Sequence, residues 1–227
     1  MNSKLACAFS CFFLLSGALQ ANDSVDLKVT ATLEAGSCTP SLSNNGEADF
    51  GHVPLHNLSK TSTNQLGSRF LTLTINCTQA SQIGWTVTDN KKDSVQSLTI
   101  KNAKFVAGDL DDIKFEYGLG KTQGGINIGA YTIYTDLNNV TGDGQKLKVM
   151  YKTGNGGWLS SGAGEIKNDP THINSAEIWG GTDAVVYSAK TFIWPLKLTA
   201  AIQGTEALSI SDSTPLDGSS TISIVYL

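Results

Sequence analysis

The 227-residue sequence contains a single arginine, Arg69, three histidines, five prolines and four cysteines, and only 16% of its residues are charged. With a formal net charge of −4 and no cluster of lysines, it has little with which to neutralise phosphates, so nucleic-acid binding is excluded first. The histidines His52, His56 and His172 leave little for a catalytic base or a metal centre. Pro54 separates His52 from His56, so the helix that would place both on one face is not expected, and a loop is. Asp109, Asp111 and Asp112 lack the glycine and closing glutamate of a calcium hand loop and read as a solvated acidic turn. Gly118-Leu119-Gly120-Lys121-Thr122 resembles the end of a phosphate loop, but Phe115 stands where the first glycine is needed, so a turn is expected. No serine occupies a nucleophile elbow and no two carboxylates are spaced for paired acid–base work. The expectation is therefore no enzyme activity, no cofactor and no metal. Sustained helical periodicity is also missing. The longest apolar run, Leu5–Leu15, covers about 11 residues, short of the roughly 20 needed to span a bilayer.

What is present begins with that run. Lys4 precedes it and Leu19-Gln20-Ala21 follows, which predicts a secretory signal peptide over residues 1–21, cut after Ala21, and a single mature domain over 22–227. The mature chain keeps two cysteines, Cys38 and Cys77. An isolated pair in an exported chain points to a disulfide, because that compartment oxidises thiols.

The rest is strand and turn. Val25, Leu27, Val29, Ala31 and Leu33 alternate with Asp26, Lys28, Thr30, Thr32 and Glu34, predicting a strand with one buried face that ends near Gly36–Pro40. A short strand is predicted over Ala48–Val53 and a polar connection over Asn57–Gly67. The strongest strand signal lies over Arg69–Cys77. Further strands are predicted over Ile83–Thr88, Ser97–Ile100, Ile113–Tyr117, Ile126–Leu137, Lys146–Lys152, Ala184–Phe192, Pro195–Ile202 and Ser220–Leu227. With 23 glycines and turns such as Gly142-Asp143-Gly144 between them, these predict an all-β sandwich. Trp158, Trp179 and Tyr187 admit two readings. They either fill an enlarged core, the reading favoured here, or stand exposed as a surface on which sugars stack, for which Trp158 and Trp179 are the candidates.

Four passages in this order carry a resemblance: Val29–Pro40 up to the first cysteine, Asp49-Phe50-Gly51, Leu71–Thr78 around the second cysteine, and Ser220–Leu227 at the end. Together they resemble the pilin subunits of bacterial chaperone-usher fimbriae. Within that superfamily the chain is most similar to a group of fimbrial-subunit-like proteins described only as a domain of unknown function. The resemblance implies an immunoglobulin-like pilin sandwich lacking its last strand, here with an enlarged middle region over about residues 103–190. It also implies a structural or minor subunit of a surface fimbrium, exported through the periplasm. Its partners would be a periplasmic chaperone, an outer-membrane usher and neighbouring subunits, joined by donor-strand exchange. Ile222, Ile224 and Tyr226, with the carboxylate of Leu227, would form the chaperone-binding strand. Val25, Leu27 and Val29 are the candidate donor strand, expected to be a weak one because, where they belong to the first strand, little is left to donate. Two departures stand out: Thr214 occupies a position where pilins usually carry glycine, and the arm is short. The alternative function is a carbohydrate- or host-surface-binding adhesin built on a complete sandwich.

Overall fold

A computed structural model of the chain describes residues 27–31, 36–180 and 184–227. Two units, Met1–Glu34 and Ala35–Leu227, cluster separately. The predicted signal peptide and Val25 lie outside the described residues. In the first unit, residues 27–31 belong to no strand, and Leu27 and Val29 are 89% and 84% exposed. The strand predicted from Val25 is therefore not found in its described part. Alternation becomes a strand only where a neighbour supplies ladder bonds and an apolar surface.

The second unit is all β, with helix among the described residues confined to one turn at Thr205–Leu208 and short 3-10 turns. Its strands are β1 (Cys38–Leu42), β2 (Asn64–Asp89), β3 (Glu116–Gly118), β4 (Gly129–Thr135), β5 (Thr141–Gly142), β6 (Gln145–Thr153), β7 (Leu159–Ser160), β8 (His172–Ile178), β9 (Ser188–Ile202) and β10 (Ser220–Tyr226). They pair in the order β1-β2-β8-β6-β5-β9-β4-β3, with β10 added to β2 and β7 to β6. A further pairing of β2 with β9 returns the path on itself, making a barrel-like sheet.

β2 organises this closure. Its first part pairs with β1 and β9, a register shift falls between Asn76 and Ser81, and its last part pairs with β10 and β8. The two strands predicted over Arg69–Cys77 and Ile83–Thr88 are thus one 26-residue strand that changes partners just past the irregularity, after Gln82. β9 likewise joins two predicted strands through Pro195, which lacks a donor, while its carbonyl accepts from the Asp136 N–H at 3.0 Å and the Thr135 hydroxyl at 3.1 Å.

Other expectations are corrected. Ala48–Val53 is irregular, its 47–54 backbone forming no ladder. Ser97–Ile100 is reduced to a bridge between Ile100 and Leu110, and Ile113–Phe115 is a 3-10 turn. β1 lies where the first strand was expected to stop. β8 was not anticipated, because its buried residues include Asn174, Ser175 and Glu177, whose polarity hides the pattern.

The core is built around Trp85 and Trp194, both buried, in edge-to-face contact at 5.4 Å. On β4, Tyr131 and Ile133 face this core, while Ala130 and Tyr134 face a second cluster with Ile100, Ala103, Leu110 and Ala201. The irregular stretch from Val95 to Phe115 thus packs on β4 and β9, and Lys197 Nζ ties it down by donating to the carbonyls of Asn102 (2.6 Å) and Lys104 (2.8 Å).

Candidate functional site: an open apolar groove

The two strands on either side of the disulfide define the site. Cys38 and Cys77 are register partners of β1 and β2 and are bonded to each other. Where β1 begins, the Cys38 N–H donates to Tyr226 Oη at 2.7 Å, so the end of β10 is fastened to the start of β1. Among the described residues β1 and β10 each pair only with β2, which leaves one edge of each free.

Beyond this fastening the molecule is open. A groove of about 1010 Å³ runs between the 46–55 segment on one side and the 213–220 segment with β10 on the other. Its floor is apolar: Leu66 and Leu71 from β2, Leu196 and Leu198 from β9, Tyr131 and Ile133 from β4. Leu42 and Ile222 line it from β1 and β10, and Leu208 and Ile210 from the connection into β10. Alternation along β10 produces this arrangement: Ile222 and Ile224 pack on the core while Thr221 and Ser223 face solvent.

The lips are held by specific contacts. The one arginine, Arg69, lies with its guanidinium 4.9 Å from the centre of the Phe50 ring, and its Nε donates to the Asp49 carbonyl. Gly51 takes a positive φ of 72°, which lets its N–H turn back to Asp49 Oδ1 at 2.6 Å. The Asp49-Phe50-Gly51 step is therefore a lip of the groove and not the strand predicted there. Opposite, Lys91 pairs with Asp217, and the Asp217 N–H donates to the Leu119 carbonyl. Ser220 Oγ and Tyr131 Oη are 2.6 Å apart.

Of the other residues singled out from sequence, Ile222, Ile224, Tyr226 and Leu227 all fall on β10 or its end. Ile222 alone of these lines the groove. Tyr226 is 54% and Leu227 41% exposed, and the Leu227 N–H donates to the Gln82 carbonyl. Leu27 and Val29 are exposed in the other unit, and Val25 lies outside the described residues. Tyr187 packs on the core as favoured, whereas Trp179 is half exposed with Lys146 Nζ 3.8 Å from its ring centre. Trp158 is half-buried beneath Lys152 Nζ at 4.8 Å.

The remaining polar candidates do not converge. His172 is buried, stacks on Tyr151 at 4.7 Å and meets the Thr153 hydroxyl at 3.1 Å, and burial pushes its pKa below the usual histidine value. Asp109 and Asp112 accept backbone N–H groups of Asn102 and Lys114, as turn aspartates do. His52 lies on the groove lip and His56 in the 3-10 turn Leu55–Asn57. Sequence reasoning missed the floor of the groove, since its residues come from three strands far apart in the chain.

Comparison with known proteins adds kinship without an activity. A family described as "Protein of unknown function (DUF1120)" matches residues 27–132. The chain is 32% identical to the Escherichia coli (strain K12) protein named "Uncharacterized protein YhcF", over 100% of this chain and 99% of that one. It is 29% identical to "Protein GltF" of the same organism, over 91% of each chain.

Proposed function

From the premise that this chain belongs to the DUF1120 family, we propose that it is a structural or minor subunit of a surface fimbrium that works by accepting an extended strand from another chain. The observation that carries this reading is the apolar groove left open beside the free edge of β10. In this reading the barrel-like sheet is an immunoglobulin-like pilin sandwich without its last strand. An entering strand pairs its backbone with β10 and sends alternate side chains into the groove. Each apolar side chain so buried contributes about 1.5–3 kcal/mol, which rewards the correct register. A periplasmic chaperone supplies the first strand and grips the exposed end at Tyr226 and Leu227. The usher then exchanges it for the N-terminal segment of a neighbouring subunit. Leu27 and Val29 suit the donor role because neither is buried in the described structure.

The test is thermal unfolding of the mature chain from Asn22, oxidised at Cys38 and Cys77, alone and with a peptide of alternating apolar residues. At a peptide concentration 100 times its Kd, a strand bound only to the folded state adds about 2.7 kcal/mol and raises Tm accordingly. Leu198→Asp, which puts a carboxylate on the groove floor, should abolish the rise. A sharp transition that no peptide shifts would mean that the sheet is complete, and the reading would be abandoned.

A further inference from the structure

A second surface, on β6 and separated from β10 by β2 and β8, has the composition of a binding face. Along β6, Leu147 and Val149 enter the core, so Lys146, Lys148 and Lys152 leave the other side of the strand, on which Met150 is buried. The lysines are not alike. Lys148 Nζ is paired with the buried carboxylate of Glu177 at 2.9 Å. Lys146 and Lys152 sit over the indoles of Trp179 and Trp158, and among the described residues neither has a carboxylate within 4 Å. Beside them Trp179 is 49% and Leu159 58% exposed. Six residues separate the two indole–ammonium pairs along the strand, roughly 20 Å at strand rise.

We propose that this face binds a linear acidic polysaccharide laid along β6, its sugar faces on Trp158 and Trp179 and its carboxylates on Lys146 and Lys152. Trp179, half exposed, and Trp158, partly exposed, offer the flat apolar surface that the carbon-bearing face of a sugar fits. The two cations give the surface a sign opposite to that of the chain as a whole, whose net charge is −4, and so select an anionic partner. Two pairs spread along a strand suit an extended polymer. A carboxylate polymer fits better than a nucleic acid, because no arginine stands here to hold phosphate in two-pronged fashion. The proposal does not rest on the fimbrial reading, since the groove and β10 take no part in it.

The probe is polygalacturonate, titrated calorimetrically into the mature chain, with its methyl-esterified form, dextran and a single-stranded oligonucleotide in parallel. Binding of polygalacturonate alone is expected, weakening as salt rises. Trp158→Ala and Trp179→Ala should each lower the affinity at least tenfold with little change in Tm. Lys146→Gln with Lys152→Gln, which keeps most of each side-chain stem, should remove both the salt dependence and the preference over the ester. Equal binding of ester or dextran, wild-type affinity in the lysine variant, preference for the oligonucleotide, or no binding of polygalacturonate overturns the proposal.

Discussion

Glu116 on β3 is fully buried; the Ser97 hydroxyl donates to Oε1 at 3.3 Å and the Leu98 backbone also hydrogen-bonds the carboxylate, while Oε2 has no partner among the described residues. Burial is the main reason its pKa is raised, and the negative charges of Asp111 and Asp112 add to it. A carboxyl whose folded pKa lies above its unfolded one stabilises the fold below the unfolded value, and that contribution is lost as pH rises through the folded value. Glu116→Gln removes the charge while keeping an acceptor for Ser97. It should therefore stabilise at pH 7–8, read as a higher Tm than that of the parent protein, and the gain should vanish near pH 4. Calorimetric melts across that range check it. This residue was not singled out from sequence, where one glutamate in a short predicted strand looks like any solvated carboxylate. Arg69 is a similar case: its rarity was plain, but its seat on Phe50 at the groove lip depends on residues 19 positions away.

Among the elements, β2 decides the topology, and the point at which it leaves β9 for β8 and β10 is tightly built. A side chain at Gly84 would run into Ile173 Cγ2 and stand 3.0 Å from the Asn174 carbonyl, so glycine is required there by close approach to β8. Gly84→Ala should cost about 1–3 kcal/mol as β8 is pushed aside, read as a lower urea midpoint with m unchanged. Period-two alternation made the existence of β6 and β10 legible, since each turns one face to the core, while β4 is buried on both faces. It could not reveal that two predicted strands were one in β2 and again in β9, because a bulge and a proline look like ends when only local signals are read. β8 escaped for the opposite reason. Asn174 Nδ2 and Ser175 Oγ donate to the carbonyls of Trp85 and Ile83, and polar residues satisfied across a strand pair carry no hydrophobic signature.

For the whole molecule, an open groove means less apolar surface removed from water than the chain could bury, and the Cys38–Cys77 bond offsets part of that deficit. Linking residues 39 apart constrains the unfolded chain by about 4 kcal/mol on the entropy model. Replacing both cysteines with alanine should cost about 2–5 kcal/mol, so that the chain melts well below the oxidised protein, measured by circular dichroism. The bond also anchors the start of β1, the residue to which Tyr226 is fastened, so its loss should loosen the closed end of the groove as well.

The sequence by itself determined the all-β class, the cysteine pair, the alternating last strand and the poverty of catalytic groups, because composition and period-two patterning are local properties that burial on one face imposes directly. Only the tertiary structure decided that β2 and β9 close the path into a barrel-like sheet, that Asp49-Phe50-Gly51 is a lip and not a strand, and that apolar side chains from three distant strands share one groove. Those outcomes depend on which strand finds which partner, and pairing between segments more than a hundred residues apart is set by the summed packing of the molecule, which no single stretch encodes.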